Sequence, residues 1–257
     1  MTKRPRTPKK VRYHHGDLRN ALLRAALDLV SRRGVEGFSL REAARAVGVS
    51  PAAAYRHFQD KSALLAAIAL EGLVRMATDM EETLARVPGA PGTAARAAAE
   101  FAALAEAYVE FAIAHPSHFR VMFGPWCEHP GREELPMEAF PNGRDPYQFL
   151  VDALDALVAT GAISKDARAG AEIAAWSIVH GLASLLVEGA LPLAPTERRG
   201  LSPAERRAAI AAVQRSALAS LGAPIPADLL AAPAQAVAMP ARRRGSPASP
   251  GSRRAGA

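Results

Sequence analysis

The sequence predicts an all-α fold: an N-terminal three-helix helix-turn-helix domain and a larger C-terminal helical domain. Three observations predict it. Apolar residues recur at spacings of three and four along most of the chain. Ser39 and Ser50 stand where helix N-caps belong, with Gly48 between them as a stop signal. The remaining segments are punctuated by Pro and Gly, as at Pro88 to Gly92 and at Pro116. A length of 257 residues fits a small domain, a larger one and disordered ends. The expected boundaries are a basic disordered arm over 1–15, a DNA-binding unit over 16–76, a helical domain over 77–222 and a disordered tail over 223–257.

Taken in order, the first helix runs from Asp17 to Arg33, with Leu18, Leu22, Ala25 and Leu29 at helical spacing. Ser39 and Glu42 form a capping box that opens a short second helix through Arg45 and Ala46, which Gly48 breaks. Ser50 caps a third, and Pro51 takes the first helical position, where its missing N–H costs nothing. That helix continues through Ala52, Ala53, Ala54, Tyr55, Arg56, His57 and Phe58. Ala54 and Phe58 lie four apart, so they share the face that packs on Ala43, Ala44 and Val47. Ala52, Ala53, Tyr55, Arg56 and His57 then project outward. Small residues at its start let this face sit deep in a major groove. Tyr55, His57 and Lys61 offer hydrogen bonds and charge to phosphates, and the free N–H groups at the helix start add an anion site.

Lys61 to about Val87 reads as one long helix with Leu65, Ile68, Gly72, Met76 and Met80 along one side. At 1.5 Å per residue it reaches roughly 40 Å, enough to join both domains. A helix from Thr93 to His115 puts Phe101, Leu104, Tyr108 and Phe111 on one stripe, and a short helical turn after Pro116 holds Phe119, Met122 and Phe123. Gly124 to Arg144 reads as a loop. Tyr147, Leu150, Leu154 and Leu157 resume the spacing until Gly161, and another helix starts near Ser164 to Asp166. From Ile173 to Val187 that helix has no charged residue, which implies burial on more than one side. Ser177, Gly181 and Ser184 form a ridge of small residues open to a second helix, with Trp176, His180 and Val187 on another face. Ser202, Pro203 and Glu205 open a last helix carrying Ile210, Val213, Ala217 and Leu221. Two such helices from each of two chains would make a four-helix homodimer interface.

Charge is uneven along the chain. Residues 1–62 hold 14 Lys or Arg against 5 Asp or Glu, whereas residues 63–221 hold 13 against 19. Positive charge therefore gathers where the helix-turn-helix lies, as polyanion binding requires. Lys3, Arg4, Arg6, Lys9, Lys10 and Arg12 precede the first helix and can follow the minor groove or act as a solubilising tail. The single cysteine, Cys127, excludes an internal disulfide framework and suits a reducing cytoplasm. No signal peptide and no apolar run of about 20 residues is present, so a cytoplasmic protein without a membrane partner is expected. An enzyme is not expected. His115, His118 and His129 are separated by irregular chain, with no carboxylate pair at ligand spacing, and neither metal nor cofactor is anticipated.

Residues Val35 to Leu65, VEGFSLREAARAVGVSPAAAYRHFQDKSALL, closely resemble the N-terminal domain of the TetR family of bacterial transcriptional regulators. The leader YHHGDL at Tyr13 to Leu18, together with Trp176, His180 and Gly181 in AAWSIVHGLASLLVEG, resembles the Trp, His, Gly signature of one subgroup of that family. The resemblance implies double-stranded DNA as partner, a homodimer on an inverted-repeat operator, and repression relieved by an unknown small-molecule effector. The alternative is an effector-independent architectural DNA-binding protein. Carried onto this chain, the DNA-binding set is Ser39, Arg41, Ser50, Pro51, Ala52, Ala53, Tyr55, Arg56, His57 and Lys61. Relatives often carry Thr at the position of Ala53 and a larger aliphatic residue at that of Ala54. Base readout would then rest on Arg41 and Tyr55, with methyl contacts from the alanines. Candidate effector-pocket residues, chosen as aromatic or Met on inward stripes plus one histidine, are Phe101, Tyr108, Phe111, Phe119, Met122, Trp126, Phe149, Trp176 and His180.

Overall fold

Residues 15–124, 134–191 and 201–231 are described by the computed structural model; among them there are ten α-helices and no strand. α1 (His15–Arg33) buries Leu18, Leu22, Ala26 and Val30. Ala21 and Leu23 are buried beside that stripe, and the expected Ala25 and Leu29 fall to its half-buried margin. Gly34, at φ 75°, ends the helix, its N–H donating to the Val30 carbonyl at 2.9 Å. Gly37 is demanded by space rather than by dihedral angle: a Cβ there would collide with the Arg33 carbonyl.

α2 (Leu40–Val47) opens with both halves of the expected capping box. The Ser39 hydroxyl oxygen accepts the Glu42 N–H at 3.3 Å, and the Glu42 carboxylate accepts the Ser39 N–H at 2.9 Å. Arg33 joins that carboxylate at 3.0 Å and so ties the end of α1 to the start of α2. Gly48, at φ 78°, turns the chain, and the Val49 N–H returns to the Ala44 carbonyl at 3.0 Å. α3 (Pro51–Tyr55) is capped by Ser50, whose hydroxyl oxygen accepts the Ala53 N–H at 3.3 Å. It is shorter than the sequence suggests. Asp60 must adopt extended backbone, φ −154°, to cap the next helix, so the chain leaves α3 at Arg56 and His57. Phe58 still reaches the core, from a turn instead of a helical face.

α4 (Lys61–Ala85) has 25 residues and spans about 38 Å. Leu65, Ile68, Gly72, Met76 and Met80 are all buried along it, as expected. Carbonyls at and just beyond its end are satisfied from α5 (Ala94–Ala114): the Arg96 guanidinium donates to the Leu84 and Val87 oxygens. α5 buries Phe101, Leu104, Tyr108 and Phe111 on the anticipated stripe. α6 (Pro116–Phe123) packs on both α1 and α4. Gly72 permits that approach, since a Cβ there would collide with the Met122 thioether.

The stretch read as loop is partly structured. Two 3-10 turns, Met137–Ala139 and Pro141–Gly143, form because Phe140 between them is buried at 4% exposure. Trp126 and Cys127 lie outside the described residues. α7 (Pro146–Ala159) buries Phe149, Ala153, Leu154 and Leu157, whereas Tyr147 remains exposed and Leu150 half-buried. The inward face is thus turned toward Phe149. α8 (Ala171–Val187) begins later than Ser164 to Asp166, which instead lead into a 3-10 turn at Asp166–Arg168. Gly170, at φ 73°, separates turn from helix.

α9 (Pro203–Ser220) has the expected capping box at Ser202 and Glu205. Ala208, Ala209, Ile210 and Ala211 are consecutive and all buried, so this helix is already surrounded on most sides within the protomer. Gln214, buried, donates its amide to the Ala102 carbonyl of α5 at 2.8 Å. Part of the stretch expected to be a tail is folded: Ala223 is buried, and α10 (Ala227–Ala231) seats Leu229 on α9. Apolar groups at Ala223 and Leu229 supply enough contact to order this short extension. None of the described helices is long and apolar enough to cross a membrane.

Candidate nucleic-acid interface and core cavity

The candidate interface is built by α3 and its flanks. Ala54 is fully buried against Ala43 and Ala44, which fixes the rotation of α3 and turns its other residues out. Ser50, Pro51, Ala52, Tyr55 and Arg56 are exposed, and Arg41 is exposed on α2. Tyr55 is 45% exposed, an unusual state for a large aromatic ring and one suited to contact with a partner. Ala53 and His57 are half-buried, Ala53 leaning on the core.

Two expected contacts are engaged within the protein. The Ser39 hydroxyl accepts from the Glu42 N–H and donates to the Glu42 carboxylate at 3.0 Å, so its hydrogen-bonding capacity serves the cap. Lys61 is folded back. Its Nζ donates to the Glu36 carbonyl at 3.3 Å and lies 4.6 Å from the centre of the Phe38 ring. Burial pushes that ammonium below the ordinary lysine range, partly countered by Glu36 and Glu42. The Glu42 carboxyl is held below its ordinary value by the Ser39 hydroxyl and N–H, with Arg33 adding to the effect.

A cavity of about 560 Å³ lies in the helical domain, walled by α4, α5, α6, α7, α8 and α9. Its size falls in the range of small-molecule sites. Of the candidate pocket residues, Phe101, Tyr108, Met122 and Trp176 line it. Phe111, Phe119 and Phe149 do not; they are buried in the surrounding core. Trp126 falls outside the described residues. Sequence reasoning missed Leu73, Met76, Met80, Phe123, Leu150, Val179 and Val213 as wall residues, together with Tyr147 and Asp145 at the start of α7. A signal was present in the methionines: three of the chain's six line the cavity, and this side chain adapts to irregular space.

His180 stands behind the wall. Its Nδ1 lies 2.8 Å from the Tyr108 hydroxyl, and the Trp176 indole N–H donates to that same hydroxyl oxygen at 3.2 Å. The sensible proton order has the tyrosine donating to an unprotonated Nδ1 while accepting from the indole. The partner of His180 is therefore a side chain. Burial lowers the His180 pKa and raises that of Tyr108, which keeps both neutral. Thus Trp176 and His180, one turn apart on α8, converge on a single hydroxyl of α5. Closer to the DNA-binding unit, His118 of α6 is buried, its Nε2 3.7 Å from a Glu71 carboxylate oxygen on α4. Burial lowers its pKa as well.

The comparisons with known proteins agree with this architecture at both ends. Residues 22–68 match the profile of bacterial regulatory proteins of the tetR family, and residues 101–202 match that of the tetracyclin repressor-like C-terminal domain. Over 50 residues the chain is 48% identical to the class A tetracycline repressor protein from transposon 1721 of Escherichia coli, covering 20% of this chain and 23% of that one. The chain spans less than half the length of the curated relatives it matches. Among solved structures, a protein of unknown function from Rhodococcus sp. RHA1 is 32% identical, with a TM-score of 0.63 over 83% of this chain and all of that one. The TetR family regulator PfmR from Thermus thermophilus, at 19% identity, shares the fold with a TM-score of 0.50 over 78% of this chain and 96% of its own. With both halves matched in the expected order, the chain belongs to the TetR family of DNA-binding transcriptional regulators.

Proposed function

We propose that the protein is a ligand-responsive, non-enzymatic repressor that binds an inverted-repeat operator as a homodimer, with one α3 of each protomer in adjacent major-groove turns. The observation that carries this reading is the course of α4. It starts six residues after Tyr55, and Leu73, Met76 and Met80 on the same helix form part of the cavity wall. One continuous rod therefore runs from the outward face of α3 to the cavity, with Met76 about 22 Å from its start. A molecule that fits the cavity better in one orientation of α4 shifts the separation of the two α3 helices, and with it the affinity for DNA. The shift is limited by the difference in its affinity for the two arrangements.

DNA contacts from Arg41, Ser50, Ala52, Tyr55 and Arg56 fit this reading best, because all five are exposed along α2, α3 and their flanks. Dimerisation is supported by α8. Ile173 is 73% exposed, Leu185 43% and Trp176 41%, in a segment without charge. Such a surface suits association with a second copy. We further assign the chain to the Trp, His, Gly subgroup, on the convergence of Trp176 and His180 at Tyr108. A cytoplasmic location goes with that role.

The test is selection of bound fragments from random duplex DNA, followed by anisotropy titration of the selected site. A preference for an inverted repeat with half-sites about 34 Å or a multiple apart is expected. Equal affinity for the selected site and random duplex at physiological salt would favour the architectural alternative, which leaves the cavity without a role.

A further inference from the structure

The chemistry of the cavity wall narrows what it accepts. Among the described residues no Lys or Arg lines it. Its one carboxylate, Asp145, is 3% exposed, and its Oδ1 accepts the Gln148 N–H at 2.7 Å, where it caps α7. The Trp176 indole N–H is bonded to the Tyr108 hydroxyl, which is bonded in turn to His180. An anion entering here would exchange its water shell for apolar surface, with no Lys or Arg among the described wall residues to receive it. A cation would meet a carboxylate already engaged at a helix start.

What the wall offers instead is ring surface and polarizable sulfur. Phe101, Phe123 and Trp176 present rings, and Met76, Met80 and Met122 present thioethers that favour aromatic edges. The volume of about 560 Å³ suits roughly 15–25 non-hydrogen atoms. We infer that the effector cavity selects an uncharged, largely apolar, ring-bearing molecule and rejects a charged molecule of the same shape. This rests on the ligand-responsive reading above and names its ligand class.

A matched set of fluorescent probes tests it. N-phenyl-1-naphthylamine is neutral, 8-anilino-1-naphthalenesulfonate adds an anion to the same rings, and N,N,N-trimethyl-1-naphthylammonium carries a fixed cation. Titrated into the full-length protein without DNA, the neutral amine is expected to bind at low micromolar concentration. The sulfonate and the ammonium should bind at least about 100-fold more weakly. Ala217→Phe and Ala105→Phe, which fill the cavity from α9 and α5, should each abolish amine binding; circular dichroism and the melting temperature report whether each variant is folded. Sulfonate or ammonium binding as tight as the amine's, or no amine binding at all, overturns the inference. So does amine binding that persists in a folded filled variant, since the probe is then on the exposed α8 face. The regulatory reading fails separately: amine that binds in the cavity without releasing operator DNA leaves the ligand class standing and refutes ligand response through this class.

Discussion

Tyr55 and Lys61 are expected from sequence to do similar work at the DNA backbone, yet their surroundings separate them. Tyr55 is 45% exposed and is not part of the core, so Tyr55→Ala should leave the melting temperature unchanged. It should weaken operator binding about 10- to 100-fold, read by anisotropy. Lys61 is bound to the Glu36 carbonyl and stacked on Phe38. Lys61→Ala is therefore expected to lower stability by about 0.5–1 kcal/mol in denaturant titration, and to weaken DNA binding less than Tyr55→Ala does. The outward direction of Tyr55 was legible because it follows from local spacing: Ala54 must face in, so its neighbour faces out. The inward fold of Lys61 was not. Its partners lie 25 and 23 residues earlier, and only the packing of the α1–α2 turn against the start of α4 brings them together.

At the level of the element, helix starts were legible wherever a side-chain cap marks them, as at Ser39, Ser50 and Ser202. They are hidden where backbone conformation does the work. α8 starts after a left-handed Gly170 with no side-chain cap, so the polar cluster Ser164 to Asp166 imitates its beginning. Cavity walls were harder still. Phe101 and Phe149 look alike as apolar helix positions, and only the arrangement of six helices decides that one meets open space and the other meets side chains. The capping box of α2 also yields a pH dependence. The Glu42 carboxyl titrates below its ordinary value of 4.5 in the folded protein, so the unfolded chain takes up its proton first as pH falls. The stabilisation is complete above that value and is lost as pH drops through the lower folded one. Glu42→Gln should therefore flatten the acid limb of stability against pH below about 4.5. Unchanged curvature in acid denaturation would assign that limb to other carboxyls.

For the whole molecule, the decisive surface is the uncharged face of α8. Sequence spacing divides the dimer interface between the last two long helices, but α9 buries Ala208 through Ala211 inside its own protomer while α8 leaves Ile173, Trp176 and Leu185 exposed. An interface centred on α8 would hold two α3 helices at a fixed spacing, making the second contact with DNA intramolecular. Its effective concentration is then of millimolar order, which raises affinity for a full operator about 10²- to 10⁴-fold over a single half-site. Ile173→Arg combined with Leu185→Arg should prevent association, since each would carry an unpaired charge into the apolar face. Both positions are open to solvent in the protomer, so the double variant should keep its helicity. Sedimentation should then report a monomer that binds full operator and half-site with nearly equal affinity. A double variant that stays dimeric, or a monomer that keeps the full-site preference, would move the interface off α8 and remove the link between the spacing of the α3 helices and the fold.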